Sequence, residues 1–284
     1  MRICNLLGFI LGSMNLVFIN GCNSGSTNSI DVAKIQQQEI QIASSSSTYL
    51  ATKILTDSYQ AKNSASQIKL LPPSQSESAI AGVKQRILDI GSVSRKLKPK
   101  EDDGSVKYTK FATDALTVAT HPSVKGVKNL NTSQLKAIYS GKITNWKQLG
   151  GTDAQIVLLD RPEDESAKKL LRQYYLGKNL KSSPNAVILR QEPELINSVE
   201  NTPYSIGAFS LGYTISNQST VNRLSLNGIE PTIENVKAGK YSMVRHLGVV
   251  HSKTPSKETQ YFLDFIFSKQ GKESLKKSGF LPSK

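Results

Sequence analysis

Short apolar runs of β type alternate with amphipathic helical runs along most of this chain. Ile40-Gln41-Ile42 leads through Ser44 to Thr48 into a segment whose Leu50, Ala51, Ile54, Leu55 and Tyr59 recur at helical spacing. Ile68 to Leu71 reads as a strand ended by Pro72-Pro73, followed by a helix over Ser78 to Ile87 and a strand over Leu88 to Gly91. Phe111 to Thr120 is uncharged except for Asp114, as suits a buried strand in which that carboxylate orients a loop or caps a helix. After Pro122 the pattern predicts helix Thr132 to Tyr139, strand Ile156 to Leu159, helix Pro162 to Leu176 closed by Gly177, strand Ala186 to Leu189, helix Glu192 to Glu200 and strand Ile206 to Phe209. A strand over Met243 to Val250 and an amphipathic helix over Lys257 to Gln270 complete the series. Such alternation argues an α/β fold.

The amino end has a different character. Arg2 is followed by an apolar run from Leu6 through Ile19, ending in Ile19-Asn20-Gly21-Cys22, so residues 1–21 read as an export signal. Gly21 before Cys22 resembles the lipobox of bacterial lipoproteins, which makes Cys22 the expected lipidated first residue of the mature chain. A plain cleaved signal or an amino-terminal anchor is the competing reading. Residues 22–37 are rich in Ser, Asn and Gln and poor in aromatics, as in a flexible tether between lipid and fold. Cys4 leaves with the signal, so disulfides and cysteine metal sites are not expected.

Without Arg2 the chain carries 35 basic and 22 acidic residues, a balance near +13. The lysines are scattered and the chain is exported, which argues against nucleic acid and for attraction of anions and anionic envelope surfaces. Catalysis has little support. His121, His246 and His251 show no metal or relay spacing, and neither a G-x-S-x-G nor a Walker-type loop occurs. No enzyme activity, cofactor or metal is expected.

Three stretches rich in Ser, Thr and Arg fall where a strand hands over to a helix: Ser44 to Thr48, Ser92 to Arg95, and Arg161 to Ser166. Helix starts leave N–H groups unpaired and carry partial positive charge, so hydroxyls and a guanidinium gathered there suit a small oxyanion. Each stretch alone is unspecific, since a serine run is commonly a linker. Their wide separation along the chain gives them joint value, because α/β clefts are built from several loops at the carboxyl ends of strands.

The run Ile138-Tyr139-Ser140-Gly141-Lys142-Ile143-Thr144-Asn145-Trp146, followed by Gly150-Gly151, resembles the signature of phosphate-binding proteins of ABC importers. Asp89-Ile90-Gly91-Ser92-Val93-Ser94-Arg95 is similar to a loop of that family, Ser45 to Thr48 to its first ligand loop, and Tyr204-Ser205-Ile206-Gly207 to a further segment. Gly239-Lys240-Tyr241 with Arg245, and Phe262 to Phe265 with Gly279 to Pro282, resemble its carboxyl-terminal pattern. The resemblance implies a periplasmic-binding-protein-like fold of type II, two α/β lobes joined by two crossover strands. One lobe is expected over 38–117 plus 220–284 and the other over 118–219. Trp146 is expected to anchor a lobe rather than touch ligand.

On this resemblance the function is extracytoplasmic binding of inorganic phosphate and its delivery to an ABC permease. The protein is expected as a monomer held to the membrane by lipid on Cys22. Sulfate, arsenate or molybdate is the alternative ligand, and a non-transporting sensor or surface protein the alternative role. The implied ligand contacts are Ser46, Ser47, Thr48 and Ser94 from one lobe, and Arg161 and Ser166 from the other, with Arg95 either touching ligand or pinning its loop. Where most relatives carry Arg followed shortly by Ser-Gly-Thr, this chain has Arg161-Pro162-Glu163-Asp164-Glu165-Ser166-Ala167. Pro162 and the three acids would make a well-formed helix start. Glu165 would alternatively face the anion as a filter, accepting the proton that phosphate carries near neutral pH and sulfate lacks.

Overall fold

The computed structural model describes residues 39–64 and 66–284, so the readings of a signal at 1–21 and of a lipidated Cys22 with its tether at 22–37 lie outside the described residues. Strand β1 (Ile40–Ser44) feeds helix α1 (Tyr49–Gln60), which turns Ala51, Thr52, Leu55, Thr56 and Tyr59 inward at helical spacing. Strand β2 (Ile68–Leu70), helix α2 (Ser76–Lys84) and strand β3 (Ile90–Val93) follow. β1 lies between β2 and β3, parallel to both. Strand β4 (Val106–Thr120) is longer than its uncharged core, because Lys107 to Lys110 extend it along a neighbouring strand.

The chain then enters a second group of elements: strand β5 (Asn129–Leu130), helix α3 (Thr132–Tyr139), strand β6 (Val157–Asp160), helix α4 (Ser166–Leu171), strand β7 (Val187–Ile188), helix α5 (Glu192–Asn201), strand β8 (Ser205–Ser210), helix α6 (Leu211–Ser216), strand β9 (Asn222–Leu226) and helix α7 (Ile233–Lys237). Strand β10 (Val244–Ser252), helices α8 (Lys257–Phe267) and α9 (Lys269–Lys277) and strand β11 (Leu281–Pro282) return to the first group. The main path through the sheet runs β2-β1-β3-β10-β4-β8-β6-β7. The β4 strand serves both halves, pairing with β10 up to Ala115 and with β8 from Leu116 onward.

The two largest of four sets of buried side chains mark two lobes. Ile40, Ile42, Leu55, Phe111, Leu247, Phe262 and Phe280 form the first core, whereas Leu116, Val118, Tyr139, Trp146, Leu158, Leu224 and Met243 belong to the second. The change of core falls between Ala112 and Ala115 on β4 and between Met243 and Leu247 around the start of β10. This corrects the boundary read from the sequence. Residues 220–243, expected in the first lobe, pack in the second: β9 pairs with β5 and with the far half of β4, and Leu224, Leu226 and Val236 join the Trp146 core.

Two element boundaries also differ. The helix expected over Lys257 to Gln270 divides at Ser268, whose hydroxyl donates to the Phe265 carbonyl (2.7 Å) and accepts from the Gly271 N–H (3.1 Å), ending one helix and capping the next. A Cβ on Gly271 would lie 2.2 Å from the Phe265 carbonyl oxygen, so this tight junction requires glycine. The helix expected from Pro162 begins only at Ser166, because Pro162 to Glu165 form a turn closed by the Glu165 N–H on the Pro162 carbonyl at 3.0 Å. Glu163 and Asp164 therefore precede the helix and do not fill its first turn.

Trp146 is wholly buried, its indole N–H donating to the Tyr204 carbonyl at 2.9 Å. Asn145 and Gln148 cap the short 3₁₀ turn that carries it, and Gly150 ends that turn at φ 77°. The Gly141 to Gly151 signature is thus a structural anchor of the second lobe.

Candidate functional site

The loop from Ser44 to Thr48 is fixed to the first lobe through its main chain. Ser45 N–H donates to the Ser92 carbonyl (2.9 Å), Ser46 N–H to the Ser74 carbonyl (3.0 Å) and Thr48 N–H to the Ser45 carbonyl (3.0 Å). The Thr48 hydroxyl turns inward onto the Ser92 carbonyl at 3.0 Å. The Thr48 hydroxyl thus braces the loop on the first lobe. Ser46 and Ser47 face the other lobe.

Arg161 projects from the carboxyl end of β6, where the Asp160 carboxylate accepts its backbone N–H at 2.8 Å. The other Asp160 oxygen is paired with the buried ammonium of Lys168, which also lies 5.2 Å above the Tyr139 ring. Burial pushes the Asp160 carboxyl upward against the pull of Lys168. This arrangement holds the backbone at Arg161 and leaves the guanidinium free to point across the cleft. Its Nη2 donates to Ser46 Oγ at 3.1 Å and pairs with Glu165 Oε2 at 2.9 Å, while Nη1 lies 3.9 Å from Glu192 Oε2. The side chain of Arg161 forms no salt bridge with Asp160 or Glu163, which is taken by Arg172 at 2.6 Å.

Arg161 is only 2 % exposed, yet its Nε and Nη1 have no hydrogen-bond partner among the described residues. Unpaired buried donors on a cation are costly, and an anion with several acceptor oxygens is the natural complement. The Ser46 hydroxyl stands beside it at 3.1 Å, and a second contact between the lobes joins Ser47 Oγ to Ser166 Oγ at 3.0 Å.

The family model of the PBP superfamily domain matches residues 26–270. The chain is 33 % identical over 210 residues to the phosphate-binding protein PstS of Borreliella burgdorferi, an alignment spanning 71 % of this chain and 75 % of that one. It therefore belongs to the PstS family of the PBP superfamily. A PstS of Bacillus subtilis is 28 % identical over 214 residues, 73 % of this chain and 68 % of that one. The crystal structure of a phosphate ABC transporter substrate-binding protein with bound phosphate, from Clostridium perfringens, superposes with a TM-score of 0.77 at 27 % identity, covering 87 % of this chain and all of that one.

The Ser92 to Arg95 stretch lies differently from the other two. Ser94 and Arg95 line a cavity of about 310 Å³ together with Gln75, Glu165, Ser166 and His246, a lining in which Arg161 has no part. The Arg95 guanidinium is already forked onto Glu101 (2.6 and 2.8 Å) and reaches Glu77 at 3.0 Å. Arg95 holds the Glu101 carboxyl below its ordinary range. Burial alone would raise Glu77, but hydrogen bonds from Lys98 and Arg95 bring it down to about 2. Arg95 thus pins its own loop. Among the described residues no group of three or more His, Cys, Asp and Glu is placed to hold a metal ion.

Two residues of the site were not singled out from the sequence. Glu192 starts α5 and links Arg161 to a buried pair, accepting from Arg245 at 2.6 and 2.8 Å. Arg245 in turn donates to Asp114 at 2.8 and 3.0 Å, and Asp114 accepts the Gly212 N–H at the start of α6 at 3.3 Å. Burial favours the neutral carboxyl in both acids. In Glu192 the charges of Arg245 and Arg161 overcome it and hold the group low, whereas in Asp114 burial prevails and the group is pushed up. The second unforeseen residue is Gln75, whose Nε2 donates to Glu165 Oε1 at 2.7 Å from the opposite lobe. Its only sequence signal is that a long amide stands just before a helix, where Ser, Thr, Asp or Asn is usual.

Proposed function

We propose that this protein binds inorganic phosphate outside the cytoplasmic membrane and delivers it to an ABC permease. It works by binding and catalyses no reaction. The observation that carries the reading is the enclosed Arg161, with two unpaired donors on a guanidinium that touches the Ser46 hydroxyl. The names of the PstS relatives and of the phosphate-bound structure support it. The anion lies between the lobes against Arg161, and closure over it removes water, which strengthens each charge-assisted bond. Calorimetric titration of the purified protein with phosphate, sulfate and molybdate tests this. Tight binding of phosphate with weak binding of the other two is expected, and the reverse order would sink the reading.

Glu165 is the selective element. It is 4 % exposed and lies 2.9 Å from Arg161, so an anion held by that guanidinium has the Glu165 carboxyl group for a neighbour. Hydrogen phosphate answers the carboxylate with a proton, while sulfate meets it as a bare acceptor. Glu165→Gln is expected to raise sulfate affinity relative to phosphate by about tenfold or more, the worth of one hydrogen bond to a charged group. An unchanged ratio with only a small loss of thermal stability would return Glu165 to a purely structural role.

The protein acts as a monomer, held at the membrane by lipid on Cys22. The support is Gly21-Cys22 at the end of the apolar run; among the described residues no helix is long and apolar enough to cross a membrane. Cys22→Ser is expected to leave the protein unprocessed or shed from membranes. Mass spectrometry of the membrane fraction checks this, and an unmodified mature cysteine would refute it.

A further inference from the structure

Gln75 and Glu165 each stand immediately before a helix, Gln75 before α2 in the first lobe and Glu165 before α4 in the second. Short polar side chains at such positions fold back onto the first turn, but neither of these does. The two meet each other instead, Gln75 Nε2 to Glu165 Oε1 at 2.7 Å, across 90 positions of sequence. The carboxylate is then held from two sides, by the amide on Oε1 and by Arg161 Nη2 on Oε2. A third donor waits nearby: the half-exposed Arg190 lies 3.6 Å from Oε1 and already pairs with Asp164 at 3.1 Å.

A neutral amide fixes the direction of a carboxylate without cancelling its charge. Two anchored oxygens still leave lone pairs to meet a ligand proton, since a carboxylate has about four acceptor positions. With the amide gone, Arg190 becomes the remaining partner of Oε1 and draws the side chain toward its own exposed pairing with Asp164. We infer that Gln75 is a positioning residue for anion selectivity, holding Glu165 where it accepts the proton of the bound anion. This rests on the reading of the site as one for hydrogen phosphate.

The test is a double-mutant cycle on the purified protein, titrated by calorimetry with inorganic phosphate and with sulfate. Gln75→Leu is expected to lower the phosphate-over-sulfate preference about tenfold, the loss of one hydrogen bond to a charged group. In a Glu165→Gln background the same substitution should move the ratio by less than about twofold, because its action passes through that carboxylate. Gln75 is partly exposed, so the variant is expected to fold, which thermal melting checks. A Gln75→Leu protein that loses both anions equally would make the contact a mere closing bond and overturn the role. An equal fall of the ratio in both backgrounds would overturn it as well, by separating Gln75 from Glu165. A parent protein that binds phosphate but keeps its ratio in Gln75→Leu defeats this inference alone. One that binds neither anion defeats the proposed function and this role with it.

Discussion

Arg161→Ala is expected to weaken phosphate binding by about 3 to 5 kcal/mol, the cost of removing one partner from a buried, hydrogen-bonded charge pair. The guanidinium is enclosed, 2 % exposed, so its field on the anion is little screened. Its Nε and Nη1 have no hydrogen-bond partner among the described residues, and the neighbouring buried cations are already engaged: Arg245 is committed to Asp114 and Glu192, and Lys168 to Asp160. The loss has a second source, since Glu165 and Glu192 would face the anion with less positive charge between them. Arg95→Ala should cost much less, because Glu101 and Glu77 already occupy that guanidinium. Calorimetric titration of both variants measures the contrast, with melting curves to separate lost affinity from lost fold. Small, equal losses would place the anion elsewhere in the cleft.

That contrast also marks what the sequence can and cannot disclose. The strand-to-helix junctions at Ser44 to Thr48 and at Arg161 are legible because they are local, an apolar run followed by polar residues and a helical repeat. The roles of individual side chains there are not. Ser46, Ser47 and Thr48 look alike on paper, and only the packing of the loop on β3 and Ser74 turns the threonine hydroxyl inward and the two serines outward. Arg95 and Arg161 are likewise equivalent as residue types. Glu101, six residues on, engages the first, while the second is left with unpaired donors by a fold that closes around it.

Longer reach explains the remaining differences. Gln75 meets Glu165 over 90 positions, and Glu192 meets Arg245 over 53, so no local pattern announces either pair. The second crossing between lobes, between Met243 and Leu247, is hidden from the sequence for a related reason. Short β9 has a weak alternation, Arg223-Leu224-Ser225-Leu226, and its assignment depends on pairing with β5 and β4 rather than on its own composition. At Pro162 the opposite happened: a favourable helix-start composition was overridden by a turn that delivers Glu165 to Arg161.

Arg245→Met is expected to destabilise the folded protein by about 3 to 5 kcal/mol, because it leaves Asp114 and Glu192 as buried carboxylates without their shared cation. All three groups are almost fully enclosed, and they join β4, β10 and α5 where the chain passes between lobes. The pH dependence follows from the shifts. In the parent protein Glu192 is held low, so its contribution is present above the ordinary glutamate range and lost as pH falls through its lowered value. Without Arg245 burial dominates at both acids and their folded-state values rise. Each then favours the fold below its unfolded value, and that advantage disappears as pH rises through the folded one. The deficit of Arg245→Met should therefore be largest near pH 7 and shrink toward pH 4. Adding Asp114→Asn and Glu192→Gln should recover much of the loss at pH 7, since the amide oxygens can still accept the Gly212 and Ser210 N–H groups while the unpaired charges are gone. Denaturant unfolding of the single and triple variants at both pH values checks this, and a deficit independent of pH would show that Arg245 contributes by packing rather than by charge.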